Sequence, residues 1–392
     1  MKQSLKGKAA AVRPAAALVL TLAALIVSCV PGDTPTPSVP EPPPDPWAGY
    51  VERARDLAAG LSLEAACGQL VMTGISGRGV LDQSSRLLLS ELSAGAVVLF
   101  GFNIPTEARD LKPVLDQVRE AARTAGAGIP LFIAVDHEGG DVFRFREGVS
   151  RLPSARALGD AGPEAVSRAG AVAGRELKAL GINLNLAPVA EAWDARNGGF
   201  LGTRAFSADP ERAGALAAAF LSAQQAEGTA AAAKHYPGNG AEDPHKTVPV
   251  VRVSLQEILE FYELPFRRVV EAGTAMVMLS HAVFPALDPD APASLSPAVI
   301  GRLKGELGFR GVVLTDDLAM KALTKEGGAA AVSAVRAGAD MVMASGGRVA
   351  REAYRALLEA VRNGGLPEER IRDAAARILA QKIRFGLIDG LE

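Results

Sequence analysis

The stretch LFIAVDHEGG, residues 131–140, sets five apolar residues directly against Asp136, His137 and Glu138, then two glycines. An apolar run this short, without polar alternation, suits a strand buried on both faces, and its abrupt polar end suits a strand that opens onto a loop. The layout recurs along the chain. Strand candidates are Gln69–Thr73, Ala96–Phe100, Leu131–Val135, Asn183–Ala187, Thr229–Lys234, Ala275–Leu279, Gly311–Thr315 and Asp340–Ala344. The helices between them carry their own punctuation. Asp209 and Pro210 open one as cap and first residue, and Gly228 closes it. Ser254 and Glu257 have capping-box spacing for another, with Gly273 just beyond its end. Ser296 and Pro297 open a third, which Gly308 ends. Strand-then-helix units repeated in this way over about 340 residues predict an α/β fold, a (β/α)8 TIM-type barrel forming a single catalytic domain. An open doubly wound sheet is the alternative, but no glycine-rich dinucleotide fingerprint follows an early strand.

Working outward, the 392 residues are 48% hydrophobic, enough for a large core. Lys and Arg total 42 against 44 Asp and Glu, a balance that leaves no basic footprint for nucleic acid. The N-terminus places Lys2, Lys6, Lys8 and Arg13 before an apolar run, Ala15 to Val27, which stops at Ser28 and Cys29. This is the layout of a signal peptide, and the run is too short to span a bilayer core of about 30 Å. Its end, Ile26-Val27-Ser28-Cys29, resembles a bacterial lipobox, in which the cysteine is lipidated. The expected organisation is a leader over 1–29, a Pro-rich linker over 30–46 and the barrel domain over 47–392. The product would be an exported, membrane-anchored lipoprotein of the cell envelope, with a monomer as the default. With Cys29 acylated, Cys67 has no partner, which excludes a disulfide framework. Cys67 sits in a helical-looking segment and is expected to be a buried, inert thiol.

In a barrel of this kind, chemistry gathers where strands end and the following loops begin. Strand three runs into Asp136, His137 and Glu138; strand four into Pro188 and Glu191; strand five into Lys234 and His235; strand six into Ser280 and His281; strand seven into Asp316 and Asp317. Three of the four histidines thus lie at strand ends, and the fourth, His245, lies on the loop after strand five. A rim rich in carboxylates, with Lys and Arg but few aromatic rings, suits a hydroxyl-rich, largely uncharged ligand such as a sugar. A metal is the competing use for His and Asp. The chain has neither a His pair at helical spacing nor a cysteine cluster, so neither a metal nor any other cofactor is expected.

The segments VDHEGG and VFRFREG within 135–148, NLAPVAE at 185–191, LGTRAF at 201–206, KHYPGNG at 234–240, DPH at 243–245, SHAVFPALDP at 280–289 and TDDLAM at 315–320 stand in order along the chain. From about Ser62 to Leu387 the sequence resembles the glycoside hydrolase family 3 β-N-acetylhexosaminidases, chiefly the single-domain bacterial members. The resemblance implies a retaining, double-displacement hydrolysis that removes N-acetylglucosamine from peptidoglycan-derived or chitin-type oligosaccharides. It implies Asp316 as nucleophile, His245 as acid/base and Asp243 as its partner, a carboxylate that would stabilise an imidazolium and orient the ring. Asp317 is expected to support the loop. Asp136, Arg144, Arg204, Lys234 and His235 would hold the sugar through its hydroxyls and acetamido group.

The chain departs from the family pattern in having Asn239 for a histidine, Asp141 for an arginine and Pro244 for a serine, with a loop from Gly240 to Asp243 about two residues short. The chain ends soon after the eighth unit, so an acid/base supplied by a second domain is not expected, which favours N-acetylhexosamine over glucose. Two other functions stay open. A histidine acid/base leaves room for phosphate to attack the intermediate, as in a glycosyl phosphorylase, and a barrel that had lost catalysis would be a glycan-binding lipoprotein.

Overall fold

The computed structural model describes residues 48–389, apart from 126–127 and 324–326. The leader, the lipobox with Cys29, and the Pro-rich linker lie outside the described residues.

Eight parallel strands pair in chain order: β1 (Val71–Gly74), β2 (Ala96–Leu99), β3 (Phe132–Val135), β4 (Leu184–Asn185), β5 (Ala230–Tyr236), β6 (Met276–Leu279), β7 (Val312–Asp317) and β8 (Met341–Ala344). The eighth strand returns to the first, with Val71 beside Val342 and Met72 beside Met343, which closes the expected (β/α)8 barrel. Every residue of these strands is buried except Asp316 and Asp317, which end β7 half-buried. Helices cover the outer face, and the inner face packs on itself, so unbroken apolar runs suit both sides.

The helix caps fall where the side chains foretold them. Asp209 accepts from the amide of Arg212 at 3.0 Å at the head of the helix Pro210–Ala226. Ser254 and Glu257 form a reciprocal capping box, and Ser296 accepts from Val299 at 3.2 Å at the head of Pro297–Gly305. Such caps contribute about 0.5–2 kcal/mol each. Gly228, at φ +86°, turns the chain from helix end to β5 in a backbone region that other residues rarely adopt.

Four strands differ from expectation by more than one residue at an end. Gln69 belongs to the helix Leu63–Gln69, because its side-chain amide is used sideways, donating to the carbonyl of Ser93 at 2.8 Å; β1 begins two residues later. Strand β4 is two residues long, and beside it the Asn183 side chain accepts from the Ile133 amide at 2.7 Å and donates to the Leu131 carbonyl at 3.2 Å. Strand β5 continues through His235 to Tyr236, and β7 includes both Asp316 and Asp317, so these polar residues belong to the strand ends themselves.

Cys67 is fully buried in its helix, and burial pushes its thiol up to about 12. Among the described residues no helix is long and apolar enough to cross a membrane.

Candidate active site

The C-terminal ends of β3, β5 and β7 surround a cavity of about 220 Å³ bordered by Asp136, Lys234, His235, Asp316 and Asp317. Loops add Glu138, Arg144, Arg204 and His245. Seven of the eight barrel residues expected in the site thus meet around one cavity; the eighth, Asp243, bonds the His245 ring. A larger cavity, about 470 Å³, lies where helix ends meet around Lys178, Gly228 and Ala272, far from these groups.

One wall is a buried ion network. Lys234, 3% exposed, places Nζ 2.7 Å from Asp136 and 2.7 Å from Glu138. Arg204 grips Glu138 with two parallel bonds of 2.8 Å each, and Arg144 reaches Asp136 at 3.3 Å. Burial opposes charge on Asp136, but Lys234 and Arg144 outweigh it and hold the carboxyl below its ordinary value. Glu138 is likewise opposed by burial and driven down further by Lys234 and Arg204. Burial also opposes the Lys234 ammonium, and the two carboxylates raise it above its ordinary value. Asp136, Glu138 and Lys234 are therefore charged at neutral pH. Lys234, Arg144 and Arg204 face Asp136 and Glu138, with Asp316 and Asp317 also on the lining, an interspersed set of cations and carboxylates that suits an uncharged polar ligand. The Lys234 ammonium occupies the place between two carboxylates where a cation would otherwise sit. Among the described residues no cluster of His, Cys, Asp or Glu could hold a metal ion.

His235 follows Lys234 across a cis peptide bond, and its Nδ1 lies 2.8 Å from Glu191. Glu191 also accepts from the Asn239 amide at 2.7 Å and from its side chain at 3.0 Å. Asn239, a departure from the family pattern, thus anchors the carboxylate that orients His235. The carboxylate places the proton on Nδ1 and leaves Nε2 as the ring atom for a ligand.

Adjacent aspartates divide two tasks. Asp317 accepts from Ala319 and Ser345 amides at 3.1 Å each and from the Ser345 hydroxyl, so it fastens the loop, as expected. Asp316 accepts from the Asp317 amide at 2.8 Å through Oδ1 and borders the cavity. At the cavity mouth, His245 is exposed and bonds Asp243 through Nδ1 at 2.8 Å. Asp243 also accepts the His245 amide at 2.9 Å, and this backbone bond foremost holds its carboxyl below the ordinary range.

Two of the strand-end histidines do not join them. His137 is fully buried between Phe143 and Phe145, ring centres 5.1 and 5.4 Å away, and its ring nitrogens have no hydrogen-bond partner among the described residues. Burial pulls it down to about 4. His281 is also buried, with Nδ1 2.7 Å from Ser294 and Nε2 3.1 Å from the Asp317 carbonyl, so it braces the β7 end from behind. Glu138 joins the site beyond the residues expected from sequence, and its spacing from Asp136 carries the signal: residues two apart face the same way along an extended chain. Phe100, Phe200 and Met320 are among the apolar residues of the lining.

The family model described as Glycosyl hydrolase family 3 N terminal domain matches residues 62–381. The chain is 35% identical over 286 residues to a Beta-hexosaminidase of Nitrosomonas eutropha, a match covering 70% of this chain and 79% of that protein. Among solved structures, a glycoside hydrolase family 3 beta-N-acetylglucosaminidase from Paenibacillus superposes with a TM-score of 0.81 at 36% identity. That match covers 85% of this chain and 64% of the Paenibacillus chain, so this chain spans just under two thirds of that relative. A Beta-N-acetylhexosaminidase from Beutenbergia cavernae gives a TM-score of 0.76 at 31% identity over 83% of this chain and 99% of that one. The chain therefore belongs to glycosyl hydrolase family 3 and is a glycoside hydrolase.

Proposed function

We propose that the protein is a retaining exo-β-N-acetylhexosaminidase that removes the non-reducing-end N-acetylglucosamine from peptidoglycan-derived or chitin-type oligosaccharides. The observation that carries this reading is the meeting of Asp316 and His245 around one small cavity. At about 220 Å³ it is smaller than the roughly 300–1,000 Å³ clefts that take drug-sized ligands, which favours a single terminal sugar over an internal stretch of chain.

In the first step an Asp316 oxygen bonds to the anomeric carbon as the glycosidic bond breaks, and the departing oxygen takes its proton from His245 Nε2. Asp243 stabilises the imidazolium before transfer and keeps the ring aimed. In the second step neutral His245 takes a proton from water, whose oxygen displaces Asp316 from the anomeric carbon. Two inversions leave the configuration unchanged. Asp136, Glu138, Lys234 and the arginines bind hydroxyls and the acetamido carbonyl, while His235 offers Nε2 to the sugar. Relatives named beta-hexosaminidase and beta-N-acetylglucosaminidase support the choice of sugar.

Hydrolysis of an aryl β-N-acetylglucosaminide beside an aryl β-glucoside, with and without phosphate and with a chelator, tests the reading. Acetamido-selective turnover that yields free sugar and survives chelation is expected. Sugar phosphate would identify a phosphorylase instead, and binding without turnover an inactive glycan-binding protein. The lipobox cysteine, Cys29, is proposed as a lipid attachment site that tethers the barrel to a membrane, testable as an acyl mass on the mature N-terminal peptide.

A further inference from the structure

Phe102 lies just past β2 and is 55% exposed, in a loop that is otherwise firmly held. The next residue, Asn103, is fully buried; its side chain donates to the carbonyls of Ile75 at 2.9 Å and Gly77 at 3.1 Å and accepts from the Phe100 amide at 2.9 Å. Arg78 Nε donates to the Phe102 carbonyl at 3.0 Å. The backbone thus fixes an exposed aromatic ring in one place.

The ring of Phe102 stacks on that of Phe100, with centres 5.6 Å apart and planes 12° from parallel. Phe100 borders the cavity that holds Asp316 and His245, and Phe102 borders a second cavity of about 310 Å³ at the ends of β1 and β8. A second boundary joins the two: Ser345 lines the second cavity and bonds Asp317, which lines the first. The two cavities are therefore neighbours across the Phe100–Phe102 pair and the Asp317–Ser345 pair.

The lining of the second cavity states its ligand class. Ser76, Ser84 and Ser345 bring hydroxyls. Its two guanidinium groups each have a carboxylate partner, Arg348 with Glu352 and Arg351 with Glu91 at 2.8 Å, the latter shared with Arg355. A pyranose ring has an apolar C–H face for an aromatic ring and a hydroxyl edge for serines and guanidinium N–H groups. We propose that Phe102 and this second cavity form a leaving-group subsite that binds the sugar ring on the far side of the scissile bond.

The proposal rests on the hexosaminidase reading above, and the test separates the two. The ratio of kcat/KM for a β-1,4-linked N-acetylglucosamine disaccharide to that for N-acetylglucosaminyl fluoride is measured in wild-type protein, Phe102→Ala and Phe102→Tyr. Fluoride is too small to reach Phe102. The expected result is that Phe102→Ala lowers the ratio about tenfold, mainly through KM for the disaccharide, and that Phe102→Tyr restores it. An unchanged ratio in Phe102→Ala, with wild-type protein cleaving both compounds, overturns the subsite and leaves the hexosaminidase reading standing. A wild-type protein that cleaves neither overturns that reading and the subsite with it.

Discussion

His245 bonds Asp243 through Nδ1 at 2.8 Å, so Nε2 is the ring atom that can meet a glycosidic oxygen. The residue between them is tied to the far side of the site: the Pro244 carbonyl accepts from the Ala322 amide at 3.2 Å, on the segment that follows β7. Pro244 replaces the serine of the family pattern, yet its carbonyl still links the loop of His245 to the chain downstream of Asp316.

Removing the imidazole in His245→Ala should slow hydrolysis of an oligosaccharide by about 10²–10⁴, the range for a lost general acid. The loss should shrink for an aryl glycoside whose leaving group needs no proton. A steady-state comparison of the two substrates checks this; equal losses on both would show that His245 does not donate the proton.

Glu138→Gln should destabilise the fold at neutral pH by about 3 kcal/mol or more, because it leaves Lys234 and Arg204 buried beside a neutral amide. Glu138 is held below its ordinary carboxyl value of 4.5 in the folded chain. Its contribution is thus complete above about pH 4.5 and is lost as pH falls below it. Urea unfolding at pH 7 and pH 4 should show a smaller gap between wild type and variant at the lower pH. A constant gap would contradict the assignment of charge to this carboxylate.

His137 acts over a higher window. Burial holds it neutral down to about 4, whereas its ordinary value is 6.5. The unfolded chain binds the proton first, so the stability present above pH 6.5 falls as pH drops from there to about 4, by about 3 kcal/mol in all. His137→Leu keeps the amide that donates to Asn185 and removes the titration. Its stability should change less than wild type between pH 7 and pH 5; parallel curves would show that the ring is protonated in the fold.

How much of this was legible before the fold was known depended on whether the signal was local. The eight strands stood out because a parallel strand covered on both faces must be apolar throughout, and the caps at Asp209, Ser254 and Ser296 act within three residues of themselves. Asp136, Lys234, His235 and Asp316 could be placed on one rim from their positions at strand ends alone. The same rule misled for His137, which follows Asp136 and so points away from it into Phe143 and Phe145. Glu138 had no local sign of its partners, since Lys234 comes from β5 and Arg204 from the loop after β4, brought together only by the side-by-side pairing of β3, β4 and β5.

Asp316→Ala should lower kcat by roughly 10⁴-fold or more, since it removes the atom that bonds to carbon. Added azide should restore turnover and yield the α-glycosyl azide, because the anion enters from the face Asp316 vacates. Restored turnover with a β-azide product would place the nucleophile elsewhere.

The most direct measurement is to trap the intermediate itself. A 5-fluoro N-acetylglucosaminyl fluoride forms the covalent sugar with a good leaving group, and the ring fluorine slows its breakdown by opposing positive charge in the transition state. Mass spectrometry of the digested protein should find the fluorosugar on the peptide that contains Asp316. A label on a different residue, or turnover to a product of inverted configuration without any label, would contradict the account.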